Sequence, residues 1–454
     1  MSPSINDIPD ELVHNIVSRI KNRETLHNLC LTSRRLCRIT LPHLYQKFSH
    51  RLFQRPQRLH TFLRTILAHP ELAAAIVEIE LRDPEKCADY WDMASWRLWA
   101  ERNYVPIIEA ADHLAMLTAG VSLQLNSQSH VDYLVRSEEA QVALLLVLAQ
   151  SVVHLHIENP STAIDTPRFS ADHLLMAILH PQIKSGAVLQ NLHTLVATSP
   201  RLEGGQGGFR LSAIAPFFRL PSLHTFKGCV CHEPEDNFFT GFDCPERSST
   251  VTMLTLEHSA ICPLALKFMI LACARLEHFA CDWAGTAVGW VEVNFPLLCQ
   301  ALWEHRSSLK TLSLDTRKHF DSWPEHENGL VPALGSLQKF SSLEVLDVPA
   351  SALMGWPEDG FDGGYTELAD VLPPAIRELR INQVAPRVYE RLSLLAKVCA
   401  DKFPELRRIV LCEIPEHMDL APLEADLRKN FYEAGAEVDF EIEYLGELSH
   451  FVSL

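Results

Sequence analysis

A six-residue pattern of the form L-x-x-L-x-L, with other apolar residues at some leucine positions, recurs through most of this 454-residue chain. Apart from a first gap of 76 residues, successive copies begin 25 to 40 residues apart, in or near the range of solenoid repeats. The alternation inside each copy predicts a strand with one buried side. The copies begin at Ile76, Val152, Leu192, Leu223, Val251, Leu276, Leu309, Leu343, Ile376 and Leu406.

Helical patterns occupy several of the intervals between these predicted strands. They cover Ala171–Leu179, Leu264–Ala274, Leu297–Glu304, Val388–Ala400 and Leu423–Tyr432, and a closing strand is predicted at Phe440–Tyr444. A strand and a helix in each unit of about 30 residues resembles the irregular leucine-rich repeat proteins. That resemblance implies an α/β solenoid with parallel strands on a concave face and helices on a convex face. The alternative is a non-repetitive α/β domain with a leucine-rich sheet.

The N-terminal stretch from Ile5 to Phe48 has a different pattern, typical of three or four short helices. Leu12, Ile16 and Ile20 recur at helical spacing, with Val13 and Val17 beside them. Ser33 is suited to cap a helix over Arg34–Ile39, and Pro42 is expected to interrupt the chain before Leu44. Because about 45 residues cannot form a self-sufficient core, the surplus apolar face predicts docking on the remaining chain or on another protein.

This stretch resembles an F-box, the adaptor-binding module of Skp–cullin–F-box ubiquitin ligases. The resemblance rests on the Ile8-Pro9 pair, the spacing of the apolar residues and the run Ser33-Arg34-Arg35. Ile8 and Thr32 depart from the usual Leu and Val. The resemblance implies a Skp-type adaptor as partner, and through it cullin and RING subunits, with contacts at Ile8, Pro9, Leu12, Ile16, Ile20, Leu29, Leu31 and Arg34. The alternative is an ordinary helical cap on the repeat domain.

These patterns divide the chain into an all-helical F-box at residues 1–50, a helical linker at 51–70, a repeat domain at 71–446 and a tail at 447–454. Insertions in the repeat domain are predicted near residues 83–150, 200–210 and 355–367, where aromatic or glycine-rich segments break the period. Insertions in solenoids map to loops, often at a binding edge, although each of these segments could equally be a packed helix or an ordinary loop.

Charge and composition restrict the partners. The net charge is −17, yet residues 1–60 hold ten Lys/Arg against four Asp/Glu, so the rest of the chain is strongly acidic. An acidic body argues against nucleic acid as the main partner. No apolar run is long enough to span a membrane, and twelve scattered cysteines are typical of free thiols in a reducing compartment. The chain is therefore predicted to be soluble and intracellular, in the cytoplasm or nucleus, without a cofactor.

Strand positions that alternate with the buried ones should face a binding partner. Acids outnumber bases at these positions, which favours a basic or hydrogen-bonding target segment, and the candidates are Glu158, Glu257, Asp282, Asp315, Asp347 and Arg380. Cys229, Cys231, His232 and Cys244 could suggest zinc, but their spacing matches no standard site, and Cys231 also occupies the Asn/Cys position of a repeat.

No nucleophile–base pair is evident, so no catalytic residue is predicted. The sequence predicts a non-catalytic, substrate-recognition subunit of an F-box ubiquitin ligase. The alternatives are an adaptor-bound scaffold that does not ubiquitinate and a plain repeat module that binds protein.

Overall fold

The computed structural model describes residues 8–51, 56–82, 118, 138–158, 179, 182–199, 209–233, 242–283, 291, 293–316, 332–355, 367–382, 384, 386–414 and 421–444. The chain forms two compact units. One comprises Met1–Pro200 with Arg219–Leu223, and the other Arg201–Phe218 with His224–Leu454. Among the described residues, no helix is both long and apolar enough to cross a membrane.

The first unit begins with three helices, α1 (Asp10–Val17), α2 (Arg23–Thr32) and α3 (Arg34–Tyr45). The side-chain oxygens of Asn22 and Ser33 cap α2 and α3 by accepting hydrogen bonds from the N–H groups of Thr25 and Leu36, at 3.0 and 3.1 Å. The helices pack around a common apolar cluster. Its buried members are Val13, Val17, Leu26, Leu36 and Ile39.

Two local predictions for this region were wrong. Pro42 does not interrupt the chain but lies inside α3, which continues to Tyr45. Pro42 has no N–H to donate to the carbonyl four residues earlier, so the helix loses one hydrogen bond there. The burial of Thr40 and His43 on either side helps to hold the helix together across the proline. The predicted F-box also contains a strand, β1 (Lys47–Arg51), so it is not all-helical and the predicted helical linker begins on a strand residue.

Four parallel strands follow the helices in the first unit, in the order β1, β2 (Glu78–Arg82), β3 (His154–Glu158) and β4 (Thr194–Thr198). Helices α4 (Pro56–Ala68), α5 (Pro70–Ala74) and α6 (Glu138–Leu148) accompany them. The three N-terminal helices join the sheet directly, because the carbonyl of Gln46, next to α3, accepts from the N–H groups of Val77 and Glu78 at 2.8 and 2.9 Å.

The second unit continues the same construction. Its strands are β5 (Phe209–Arg210), β6 (Thr225–Cys229), β7 (Cys231–Glu233), β8 (Met253–Ile261), β9 (His278–Trp283), β10 (Thr311–Asp315), β11 (Val345–Pro349), β12 (Glu378–Asn382), β13 (Arg408–Ile414) and β14 (Asp439–Tyr444). Its helices are α7 (Leu211–Ile214), α8 (Pro263–Ala272), α9 (Phe295–Leu302), α10 (Ala350–Met354), α11 (Leu368–Val371), α12 (Pro386–Lys402) and α13 (Ala421–Glu433), with 3₁₀ turns at Ala215–Arg219 and Trp303–His305. Strands β6 and β8 to β14 pair in chain order and in parallel, and β5 and β7 pair beside β8.

All ten predicted strands are present, and each begins two residues after the start of its hexamer. The repeats also share a backbone hydrogen bond. The carbonyl just before one strand accepts from the N–H groups that begin the next, as when Glu277 accepts from Lys310 and Thr311, and Lys310 in turn accepts from Glu344 and Val345. Because the same hydrogen bond recurs at the same place in successive strand-and-helix repeats, the repeat architecture is confirmed.

The predicted helices over residues 264–274, 297–304, 388–400 and 423–432 are confirmed as α8, α9, α12 and α13 with small shifts at their ends. The closing strand is confirmed as β14. The predicted helix at 171–179 lies almost wholly outside the described residues, as do most of the three predicted insertions. The described part of the first insertion includes α6, whose residues from Ala140 to Val147 are buried.

Candidate functional site

Helix α1 has two apolar faces, one buried and one exposed to solvent. Val13 and Val17 are 3% and 2% exposed and pack into the three-helix cluster. Leu12 and Ile16 are each 55% exposed. Because Leu12 and Ile16 are four residues apart, they lie one turn above the other and form a single apolar stripe. The helix therefore offers branched apolar side chains that its own unit does not bury.

The other predicted adaptor contacts divide into exposed and partly buried groups. Leu31, near the end of α2, is 72% exposed, and Pro9 and Arg34 are also exposed. Ile8, Ile20 and Leu29 instead pack against the apolar cluster and are only partly accessible. The large apolar side chains that are exposed are thus fewer than the sequence pattern predicts, and they are Leu12, Ile16 and Leu31.

Electrostatic contacts hold the first turn of α1 against α3. The Asp10 carboxylate lies 2.6 Å from a guanidinium nitrogen of Arg35 and 2.8 Å from one of Arg38. Arg35 also donates to the carbonyl of Ile8. The hydrogen bond from Arg35 holds the pKa of Asp10 below its ordinary value. These contacts join the first turn of α1 to α3 and so help to set the orientation in which α1 presents the Leu12–Ile16 stripe.

A second candidate site lies in the second unit, on the face of the sheet opposite the buried leucines, which we term the open face. The site, termed the acidic cavity, has a volume of about 260 Å³. Side chains from β8 to β14 line it. They are Thr255, Glu257, Ala280, Asp282, Ser313, Asp315, Asp347, Arg380, Asn382, Cys412 and Glu443, together with Leu256 and Cys281.

Strand register explains where this cavity forms. Asp282 pairs with Asp315, and Ser313 with Asp347, which in turn pairs with Arg380. Neighbouring parallel strands lie about 4.8 Å apart, so side chains from adjacent registers converge on a common space. Thr255, Ala280 and Ser313 lie on the open face of three successive strands and are small, which leaves room between the longer charged groups.

Asn382 is held in an unusual position because of a proline in the neighbouring strand. Thr311 pairs with Val345, and the carbonyl of Lys310 accepts from the N–H of Val345. Continuing this register places residue 349 opposite the carbonyl of Leu314, but Pro349 has no N–H to donate. The Nδ2 group of Asn382 donates to that carbonyl instead, at 3.3 Å, reaching across β11.

This arrangement leaves the other end of the Asn382 amide without a partner. Nδ2 is also 3.4 Å from Oδ1 of Asp347, so the donor end is occupied. Oδ1 of Asn382 is buried and accepts no hydrogen bond from any described residue. The whole residue is 4% exposed, yet it lines the acidic cavity. A buried acceptor without a donor is costly, and it marks a place where a ligand can supply one.

Carboxylates outnumber cations around the cavity. Glu257 pairs with Lys227 at 2.8 Å, Asp282 with His258 at 2.8 Å, and Glu443 with Arg380 at 3.0 Å. Arg380 lies further from Asp347, at 3.8 Å. Burial raises the pKa of Asp347 above its ordinary value, and the nearby Arg380 only partly opposes this effect. A positive charge placed in the cavity would therefore stabilise the ionised carboxylate.

The structure brings together five of the six residues predicted to contact a target. Glu257, Asp282, Asp315, Asp347 and Arg380 all line the acidic cavity. Glu158 lies on β3 in the other unit and is not among the lining residues. The prediction missed Asn382, Ser313 and Glu443, which line the same cavity. Extending the strand alternation by one position beyond the hexamer in β12 would have placed Asn382 on this face, and the alternation within the predicted closing strand already places Glu443 there.

The cysteine cluster has a structural explanation. Cys231 is fully buried, its N–H donates to the hydroxyl of Ser259 at 3.1 Å, and burial raises the pKa of its thiol to about 12. Such a thiol is a poor source of the thiolate that zinc requires. Within the described ranges, no three His, Cys, Asp or Glu side chains are arranged to hold a metal ion.

Comparison with known families and proteins supplies one match. The family model for the leucine-rich repeat domain matches residues 206–453, which is more than half of the chain. The matched range includes β6 to β14 and the whole acidic cavity. A search of curated proteins found no match to this chain.

Proposed function

The chain belongs to the leucine-rich repeat family, and we propose that it acts as the substrate-recognition subunit of a Skp–cullin–F-box ubiquitin ligase. Leucine-rich repeats form binding surfaces for other proteins, so the repeat domain is the part suited to hold a target. The three N-terminal helices would bind a Skp-type adaptor, and the adaptor would connect the target to the cullin and RING subunits. The chain would promote ubiquitin transfer by proximity and would supply no catalytic group.

The exposed stripe on α1 is the observation that carries this proposal. A helix whose only task was to cap the sheet would bury its large apolar residues, whereas Leu12 and Ile16 are more than half exposed. Burying a leucine or isoleucine side chain contributes about 1.5–3 kcal/mol, so a partner gains a useful amount by covering the pair. The match of these residues to the F-box pattern indicates which class of partner that would be.

Co-purification with a Skp-type adaptor tests the proposal. We expect the full chain to retain the adaptor and the double variant Leu12→Asp/Ile16→Asp to lose it. Each substitution removes apolar burial and places an unpaired carboxylate in the interface, so affinity should fall by about a hundredfold or more. Because both side chains are exposed in the free protein, the variant should unfold at nearly the same temperature as the wild type.

Leu264→Asp provides a matched control, since Leu264 on α8 is 45% exposed and lies outside the three helices. It should bind the adaptor like the wild type. If the wild-type chain does not bind the adaptor, or if the double variant and the control bind equally well, the ligase-receptor function is wrong. The three helices would then serve another purpose in a protein-binding repeat protein.

A further inference from the structure

We propose that the acidic cavity on the open face of β8 to β14 is a specificity pocket for one positively charged side chain, lysine or arginine, of a bound target segment. The inference rests on the proposed role of the repeat domain in holding a target, and it adds the chemical class of the residue recognised. Three properties of the cavity support it: its size, its charge and the hydrogen-bonding character of its buried groups.

The volume of about 260 Å³ suits a side chain better than a whole metabolite. Pockets for small molecules usually measure about 300–1,000 Å³. The lining includes the small residues Ala280 and Ser313, which leave room for an extended side chain. A segment lying along the open face could insert one residue while its backbone stays outside.

The lining favours a cation. Five carboxylates, Glu257, Asp282, Asp315, Asp347 and Glu443, face a single arginine in the lining, Arg380. Arg380 is already engaged by both carboxylate oxygens of Glu443, at 3.0 Å each, so it is directed towards β14. An anionic side chain would add a further negative charge beside Asp347 and Asp315, whereas a cation would be attracted by both carboxylates.

The unpartnered oxygen of Asn382 adds an independent requirement. Because this atom can only accept a hydrogen bond, a ligand that reaches it must carry a donor. Lysine offers three donors and arginine five, and neither has an acceptor in its charged group. An apolar side chain would leave the buried oxygen unsatisfied, and a carboxylate would place two acceptors together. A cationic donor meets the charge and the hydrogen-bonding requirements at once.

A peptide array measures this preference directly. The full chain is applied to peptides with randomised flanks and a central arginine, lysine, citrulline, norleucine or glutamate. We expect capture of the arginine or lysine series, with citrulline, which has nearly the shape of arginine but no charge, bound at least about tenfold more weakly. Equal capture of citrulline, capture of the norleucine or glutamate series instead, or no capture at all would overturn the proposal.

Two variants connect the preference to the cavity. Asp347→Asn removes one lining charge, and Ala280→Leu fills the space without changing any charge, so both should reduce capture of the cationic peptides by about tenfold or more. Asp370→Asn is the matched control, since Asp370 is exposed, lies on α11 and is not part of the lining. Unchanged capture by both folded cavity variants would show that the peptides bind elsewhere.

Free arginine and spermidine serve as competitors that distinguish a side-chain pocket from a site for small cations. Either compound should compete only at concentrations far above those of the peptides, and equal potency would refute recognition of a target segment. Adaptor co-purification is independent of these assays. Asp347→Asn should retain the adaptor, so failure of the pocket proposal and failure of the ligase-receptor function would produce different results.

Discussion

Replacing Asn382 by alanine should destabilise the second unit by removing the only described donor to the carbonyl of Leu314. A buried carbonyl left without a partner costs about 1–3 kcal/mol. The substitution also removes the unpartnered Oδ1, which offsets part of this cost. The 3.4 Å contact to Asp347 is long and contributes little. We therefore expect a loss of about 1–2 kcal/mol in the free energy of unfolding.

Pro349→Ala tests the cause of this loss. Residue 349 has φ −65° and ψ 150°, which alanine adopts readily, so the change should cost only about 0.4–1 kcal/mol through the unfolded state. It also restores an N–H opposite the carbonyl of Leu314. In the double variant that N–H should replace the missing amide of Asn382, and the combined loss should be smaller than the sum of the single losses by about 1 kcal/mol.

The wild type, Asn382→Ala, Pro349→Ala and the double variant can be compared by urea unfolding, monitored by far-ultraviolet circular dichroism. We expect the slope of the transition to be the same in all four proteins. Each kcal/mol corresponds to a shift of about 2–4 °C in Tm for a domain of this size. Pro349→Ala combined with Ser336→Ala is the control, because the hydroxyl of Ser336 donates to a carbonyl at an exposed position and its loss should simply add. If the losses of Asn382→Ala and Pro349→Ala also simply add in the double variant, the N–H at residue 349 does not replace the amide of Asn382 and the reasoning is refuted.

Two further predictions concern buried groups in the second unit. The pKa of Asp347 is raised in the folded protein, so ionisation of this carboxyl opposes folding above its ordinary pKa of 3.8. Asp347→Asn should therefore raise Tm at pH 7, and the gain should disappear below about pH 4. Thermal unfolding measured over a range of pH checks this prediction. Gly228→Ala should lower the free energy of unfolding in urea by about 1–3 kcal/mol, since the new Cβ would lie 2.5 Å from Sγ of Cys231. Adding Cys231→Ala to this variant should recover part of the loss. A larger loss in the double variant would contradict this packing.

The repeat strands could be predicted accurately because their signal is local. Leucine alternation within a hexamer identifies the buried positions of a strand without reference to the rest of the chain. Strand β1 was missed because it lacks this local signal. Its sequence, KFSHR, contains one large apolar residue, Phe48, and it becomes a strand because β2 provides a partner and the ring of Phe48 stacks on that of Phe62, with centroids 4.0 Å apart.

The two candidate sites differ in how far sequence could predict them. Helical spacing identifies Leu12 and Ile16 together with Val13 and Val17 as apolar, but only the packing of α2 and α3 determines which pair is buried. In the acidic cavity, alternation placed the acids on the open face. The role of Asn382 depends on Pro349 in one strand and on the carbonyl of Leu314 in another, a relation that requires the register between strands.

Comparison among the repeats shows that the fold itself does not require a charged cavity. Arg380 pairs in register with Val410, and Thr255 with Ala280, so the same open-face position accepts valine, threonine or alanine in neighbouring strands. At Asp347 the chain instead retains a carboxylate that burial disfavours. Such local costs, at positions where neutral residues serve the neighbouring strands, concentrate at sites that bind something. The carboxylate of Asp347 is thus an argument that the acidic cavity has a ligand.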